Sequence, residues 1–490
     1  MSILNDSRLL KSESGAVVVK QQRQNQVDGR NLHVESDGTV APLSFAQQRL
    51  WFLDQLEPGS AAYNIPVAMR LQGELSVEAL ERSLAEVVRR HEVLRTRFET
   101  RDGSPVQVIE PDIRFRIDRV DLRGQPDNEP LARAMAVEEA ARPFDLTRAP
   151  LLRCSLLQLD DQDYVLLLTM HHSISDGWSM SVLVREMNTL YRAFLRGEPS
   201  PLPELPIQYA DYAVWQRQWV QGKILEKQLD YWEVKLLDAP AMNLPVDAQC
   251  SEQRYSVGAD KATTLPQHLS TRIEQFGQKT GVTSSMVFLA AFAVLLSRYT
   301  GSTDIVIGVP VAGRDRIELE GLIGFFLNTI VLRLDVDNAP DMFELTTRVR
   351  TQMLEAWDHQ GLPFEKLVER LRPERRAGQN PLFQVIFQFD DLPDASLQLP
   401  AIRSRSFDIS LRQAKTDFAI IVTKFKDDYR VIMQYRDDIF HHITIQRMLD
   451  SYCSLLDSFL ADPTSAIAKH PHINSDALNQ LTADFTRVLT

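Results

Sequence analysis

Cysteine is scarce: the 490 residues hold three, Cys154, Cys250 and Cys453, none in a CxxC pair. That argues against a disulfide framework and against a thiolate metal site, and each is expected as a buried small hydrophobe rather than a reactive thiol. Long apolar runs are missing too. The longest, residues 286–296, is well short of the roughly 20 residues that span a bilayer. The opening MSILNDSRLLKSESG has no apolar signal core. A basic excess is also absent: 54 Lys+Arg against 66 Asp+Glu give a net charge of −12, a poor basis for binding nucleic acid or an anionic membrane. The expectation is a cytoplasmic protein, with neither nucleic acid nor membrane as partner.

What is present is ordinary globular composition, 44% hydrophobic and 24% charged, over a length that calls for more than one core. Residues 1–40 are polar and nearly free of aromatics, and are expected as a flexible leader. Ser44 is placed to cap a helix carrying Leu50, Trp51 and Leu53, stopped by Pro58-Gly59-Ser60. Helical spacing follows over 76–91 and 180–195. Strands are expected over 106–109, 151–159 and 164–170, the last two joined as a hairpin by the polar turn 160–163. The run 164–170 is apolar at nearly every residue and reads as a central strand. After the Pro-rich 199–206, residues 209–237 read as one long helical connection. Helices are then expected over 269–277 and 284–300, and strands over 304–311, 328–336, 384–390 and 429–435. Two α+β units split near residue 220 are the simplest account: 41–220 and 221–475, with 476–490 a trailing linker.

The sharpest local feature is His171-His172-Ser173-Ile174-Ser175-Asp176-Gly177-Trp178-Ser179, at the end of the apolar strand and before a helix. Two imidazoles with a carboxylate and a glycine turn suit acid–base work near neutral pH. Side chains alternate along a strand, so one histidine enters a cavity while the other packs into the core. A purely structural histidine pair is the plain alternative. No companion His or Cys cluster supports a metal, and none is expected. The second pair, His441-His442, lacks the Asp-Gly turn and carries no chemistry.

His171-His172-x-x-x-Asp176-Gly177 resembles the signature of condensation domains of nonribosomal peptide synthetases. The resemblance runs through six further motifs in order. These are Leu43-Ser-Phe-Ala-Gln-Gln-Arg-Leu-Trp51, Arg90-His91-Glu92-Val-Leu-Arg95-Thr96-Arg-Phe98 and Tyr209-Ala-Asp211-Tyr-Ala-Val-Trp215. Ile323-Gly324-Phe-Phe-Leu-Asn328-Thr329, His359-Gln-Gly-Leu-Pro363-Phe364-Glu365 and Asn380-Pro381-Leu382 complete the set. The resemblance implies an α+β fold of two chloramphenicol-acetyltransferase-like lobes, a V-shaped pseudo-dimer with a tunnel between them. It implies a tunnel-facing His172 and a core-facing His171. Asp176 is implied as architectural, paired with an arginine of the second lobe, best assigned to Arg314. Gly177 is a candidate for lending its backbone amide to a developing oxyanion. Trp178, Ser179 and Asn328 are tunnel-lining candidates, and Arg90 or Arg95 is a candidate support for the active-site loop.

The implied reaction is attack of an acceptor amine on a donor thioester, with His172 either taking the proton or holding the amine in line. No cofactor is expected on the chain; substrates arrive on the phosphopantetheine of carrier proteins or on CoA. The implied partners are an acyl-CoA or acyl carrier donor, an acceptor peptidyl carrier protein and an adjacent adenylation domain, with the domain itself a monomer. Because the chain opens at methionine with no amphipathic docking helix in its leader, the reading leans to a starter domain that N-acylates the first amino acid. An elongating domain with an L-peptidyl donor is the alternative. An epimerisation domain and a non-catalytic recruitment domain are the readings from other classes.

Overall fold

The computed structural model describes residues 39–247, 258–337, 339–373, 380–391, 396–408, 416–426 and 428–469. The trailing linker, Cys250 and the leader up to residue 38 lie outside them. At the leader's end Val40–Pro42 is already a strand, paired antiparallel with Ser104–Ile109, which in turn pairs with Thr96–Arg101.

Two larger sheets organise the chain. The first has five strands in the order Ile402–Ser406, Asn64–Gly73, Asp163–His171, Leu152–Asp160, Asp118–Asp121. Its centre is the run expected to be central, and the hairpin closes with Asp160 opposite Asp163. Val77–Arg90, capped by Ser76, and Gly177–Leu195, here called the motif helix, bury their apolar faces against this sheet. The second has six strands in the order Asn328–Asp335, Asp304–Val311, Val385–Asp390, Phe418–Phe425, Asp428–Arg436, Gly258–Thr264. The longest apolar run lies within Ser284–Thr300, a helix buried on every side in the second core. Such burial explains an all-round apolar helix without a membrane; no single described helix is long and apolar enough to cross one.

Two expectations need correction. The helical connection over 209–237 is two helices, Tyr209–Trp219 and Gly222–Leu236, broken at Val220 and Gln221. The first buries Tyr209, Tyr212 and Trp215 in one core, and the second buries Leu229 and Trp232 in the other. The split near residue 220 is also not clean, because the second half crosses back twice. Residues 319–326 place Leu319, Leu322, Ile323 and Phe326 in the first core. Ile402–Ser406 then adds an edge strand to the first sheet, with Ile402 opposite Gly73 and Ser406 opposite Met69. Asn64–Gly73 shows no regular alternation of burial, and Ile402-Arg-Ser-Arg-Ser406 has a single apolar residue, so the apolar two-residue period that betrays a strand is missing from both.

Cys154 is buried and Cys453 half-buried, both unpaired. Burial pushes the Cys154 thiol far up and the Cys453 thiol up to about 12. Since the thiolate is the reactive form, its fraction at Cys453 at pH 8 is on the order of 10⁻⁴. In a thiol-reagent titration at pH 8, neither residue is expected to react until denaturant is added; prompt labelling of either in the folded protein would contradict this.

Candidate active site

The site forms where the central strand Asp163–His171 runs out. The His171 N–H donates to the Leu151 carbonyl at 3.0 Å and the His172 N–H to the Tyr63 carbonyl at 2.8 Å. A single tight turn, His172–Ile174, then leads into the motif helix. The two imidazoles part as the alternation argument requires. His171 is 4% exposed, edge-on to Tyr63 and Phe144. Its Nδ1 accepts from the Ser173 N–H at 3.2 Å and lies 2.7 Å from Ser173 Oγ. His172 is half-buried and turns toward the second half of the chain, its ring 4.7 Å from that of Phe325. Its Nδ1 lies 2.8 Å from the Ser175 carbonyl oxygen. A carbonyl only accepts, so the proton sits on Nδ1, and Nε2 carries the lone pair of the neutral ring.

Asp176 caps the motif helix. Its Oδ1 accepts from the Ser179 N–H at 2.8 Å and lies 2.7 Å from Ser179 Oγ. Arg314, 138 residues away, reaches the same oxygen at 3.3 Å, with side-chain exposures of 1% and 2% for the pair. Burial draws the Arg314 guanidinium below the usual arginine range, while the Asp176 charge beside it acts in the opposite sense. The other Asp176 oxygen accepts the Phe326 N–H at 3.0 Å.

Those contacts belong to a larger pattern. Along residues 319–326 the backbone is held by side chains rather than by a ladder. Arg314 donates to the Leu319 and Leu322 carbonyls, and Trp178 Nε1 to the Glu320 carbonyl at 3.0 Å. Ser179 Oγ accepts the Gly324 N–H at 3.0 Å and lies 2.8 Å from the Gly324 carbonyl. Tyr209 OH donates to the Phe325 carbonyl at 2.6 Å and lies 2.8 Å from Ser44 Oγ. Burial raises the Tyr209 phenol well above its ordinary value, keeping it a neutral donor. Ser44 caps Phe45–Leu56, and Gln47 of that helix donates to the Ser173 carbonyl at 3.2 Å. The crossing segment is thus moulded to the first lobe, and it carries Phe325 onto His172.

The fit leaves no room for a methyl at Gly324: an added Cβ would lie 2.1 Å from Tyr209 Cδ2. Gly324→Ala is therefore expected to cost about 1–3 kcal/mol by overpacking and to displace the segment. At Gly321 an added Cβ meets nothing within 4 Å, so Gly321→Ala should melt within about 0.5 kcal/mol of wild type. Equal melting of the two variants would refute the fit.

The sequence-predicted residues fall into three groups. His172 is half-buried, and Gly177, at the first position of the motif helix, is exposed. His171, Asp176 and Arg314 are buried supports. Of the tunnel-lining candidates, Ser179 has no exposed surface and its hydroxyl is spent on Asp176, Arg314 and Gly324, so it belongs to the polar clamp. Asn328 ties the strand after the segment to residues 360–364, through the Gln360 and Leu362 carbonyls and the Phe364 N–H. Trp178 packs by the Arg314 guanidinium, 5.9 Å from its ring centre. Arg90 does reach the motif helix, at Glu186, whereas Arg95 bonds only locally, to Glu92 and the Glu110 carbonyl. His441 and His442 are exposed at the start of a helix, away from any such network. Among the described residues no group of three or more His, Cys, Asp or Glu side chains could hold a metal ion.

A sequence model described as "Condensation domain" matches residues 38–482. The chain belongs to the condensation-domain family. Among relatives of this condensation domain, one of the linear gramicidin synthase proteins of Brevibacillus parabrevis is 43% identical over 90% of this chain and 6% of its own length. Phosphinothricin tripeptide synthetase PhsC of Streptomyces viridochromogenes is 40% identical over 91% of this chain and 41% of its own. The chain thus spans only a part of these curated relatives. Among solved structures, the X-domain from teicoplanin biosynthesis superposes with a TM-score of 0.80 at 29% identity, covering 90% of this chain and 99% of that one. The first condensation domain of the calcium-dependent antibiotic synthetase superposes with a TM-score of 0.75 over 89% of this chain and 99% of that one, a likeness of fold alone at 22% identity. The acetyltransferase-like fold implied by the motifs is the fold found.

Proposed function

We propose that this condensation domain forms an amide bond between two carrier-bound substrates. The α-amine of an acceptor aminoacyl thioester attacks the carbonyl carbon of a donor thioester; the C–N bond forms, the C–S bond breaks and the donor's carrier leaves as a thiol. The amine sheds one proton, and the departing thiolate takes one up. The observation that carries the reading is the orientation of His172, whose Nδ1–H is committed to the Ser175 carbonyl. Nε2 then carries the lone pair that could take the amine proton or hold the amine in line. Gly177, opening the motif helix, is the candidate backbone donor to the tetrahedral oxyanion. Asp176 and Arg314 keep the turn in shape and do not enter the reaction.

For the donor, a peptidyl chain on a carrier is preferred to the starter reading. One observation supports it: the relatives include a tripeptide synthetase. Acyl-CoA remains the donor of the starter reading, an adenylation domain the expected neighbour, and the cytoplasm the expected compartment. A recruitment role is favoured by one observation, the likeness to an X-domain solved in complex with OxyB, at 28% identity and a TM-score of 0.80.

The test is reconstitution with an acceptor carrier protein bearing an L-amino acid, read by intact-protein mass spectrometry. A mass gain from a peptidyl carrier donor is the expected result. Gain only from acyl-CoAs would restore the starter reading. No gain from either, with capture of a tailoring enzyme, would replace catalysis by recruitment.

A further inference from the structure

His91 closes the helix Val77–Arg90 and is 1% exposed, yet its ring spans two halves of the chain. Its Nε2 lies 3.0 Å from Glu186 Oε2 on the motif helix. Its Nδ1 accepts the Ile323 N–H at 3.2 Å, across 232 residues of sequence. A backbone N–H only donates, so Nδ1 is bare and the ring proton sits on Nε2, directed at the carboxylate. The other Glu186 oxygen takes Arg90 Nε at 3.0 Å. Burial alone would raise the Glu186 carboxyl, but the His91 and Arg90 contacts outweigh it and hold the group below its usual range. Glu186 is therefore an ionised anchor that sets both the tautomer and the orientation of His91.

Besides the Trp178 bond to Glu320, the start and the body of the motif helix each hold the crossing segment close to Phe325. Asp176 and Ser179 hold it directly at Phe326 and Gly324. Glu186 holds it through His91 at Ile323. Phe325 sits between Gly324 and Phe326, two residues beyond the position His91 holds, and its ring rests on His172. We infer that His91 is a positioning residue for the reaction: by accepting the Ile323 N–H it fixes the Phe325 ring against His172 and so sets the aim of Nε2. The inference rests on the amide-forming reading only for its kinetic arm. His91 touches no reacting atom; it acts at one remove, and a misplacement of about 1 Å at the catalytic ring is enough to cost about 10²-fold in rate.

The two ring nitrogens of His91 can be replaced separately. Asparagine puts Oδ1 at the Nδ1 position and keeps an acceptor for Ile323; glutamine keeps the reach toward Glu186 and loses that acceptor; leucine loses both. With carrier-bound donor and acceptor, His91→Leu and His91→Gln are expected to lower kcat by about 10²-fold with little change in KM. His91→Asn should stay within about threefold of wild type, because the N–H it must accept is the same. A long-range ¹H–¹⁵N spectrum of histidine-labelled protein supplies an arm independent of turnover. Wild type should show opposite tautomers, Nε2–H at His91 and Nδ1–H at His172. The carbon-bound protons of the His172 ring should shift in His91→Leu and keep their places in His91→Asn. His91→Asn as impaired as His91→Leu, or a folded His91→Leu with wild-type kcat and unmoved His172 signals, would overturn the inference. Should His91→Leu not fold, a wild-type spectrum with the His91 proton on Nδ1 does so by itself. A wild-type protein that forms no amide would count against the proposed reaction instead, leaving the spectroscopic arm to judge His91.

Discussion

His172→Ala is expected to lower the rate of amide formation by about 10²–10⁴-fold, the usual worth of a positioned acid–base group, while the protein stays folded. The physical reason is the separation of roles within the motif. His172 gives its Nδ1–H to the Ser175 carbonyl and packs its ring on Phe325, whereas His171, Asp176 and Ser179 build the turn. Truncation at His172 removes the Nε2 lone pair proposed to act on the amine and leaves those supports in place. Single-turnover assays with pre-loaded carriers, alongside a melting curve, measure both halves. Wild-type turnover in a native-like His172→Ala protein would remove the residue from the chemistry. His172→Gln refines the result: it restores a polar group near Nε2 without its basicity, so partial recovery would favour holding the amine over taking its proton.

Asp176→Ala should do the opposite, and its cost is structural. It leaves Arg314 buried at 1% exposure without its counter-ion, and removes the acceptors of the Ser179 and Phe326 N–H groups at once. Breaking one side of such a buried pair costs about 3–5 kcal/mol, because the remaining charge stays uncompensated. The melting temperature should fall well below that of His172→Ala, and turnover should be lost with it, since the crossing segment that carries Phe325 is released. Arg314→Met added to Asp176→Ala should regain part of the lost stability by removing the stranded charge. A stable, native-like Asp176→Ala protein would show that the clamp is dispensable and that Asp176 matters, if at all, at the reaction itself.

The motif reading and the structure agree closely where the signal is local. Ser44 caps its helix, and the helix Ser284–Thr300 and the strand Asp304–Val311 have the bounds read from the sequence. The 160–163 turn closes its hairpin, and His171 and His172 diverge. These follow from side-chain period and caps, which act within about one turn of the residue concerned. The Asp176–Arg314 pairing was legible only through the family's motif, since nothing in the neighbourhood of either residue names the other.

Most of what shapes the site lay beyond that reach. Tyr209, Phe325 and His91 sit inside motifs plain in the sequence, but their partners are 116 residues away for the Tyr209 hydroxyl and 232 for His91. The strand Ile402–Ser406 has only one apolar residue to mark it, and its register comes from pairing with Asn64–Gly73. Residues 319–326 hold a shape that no ladder imposes. By itself the sequence determined the elements with strong periodicity and a histidine at the end of a buried strand, because each depends on residues within a few positions. Only the tertiary structure decided which core each segment completes, which nitrogen of His172 bonds the Ser175 carbonyl and what holds Phe325 over its ring. Those outcomes depend on hydrogen bonds between groups far apart in the chain, and no local pattern encodes such a partner.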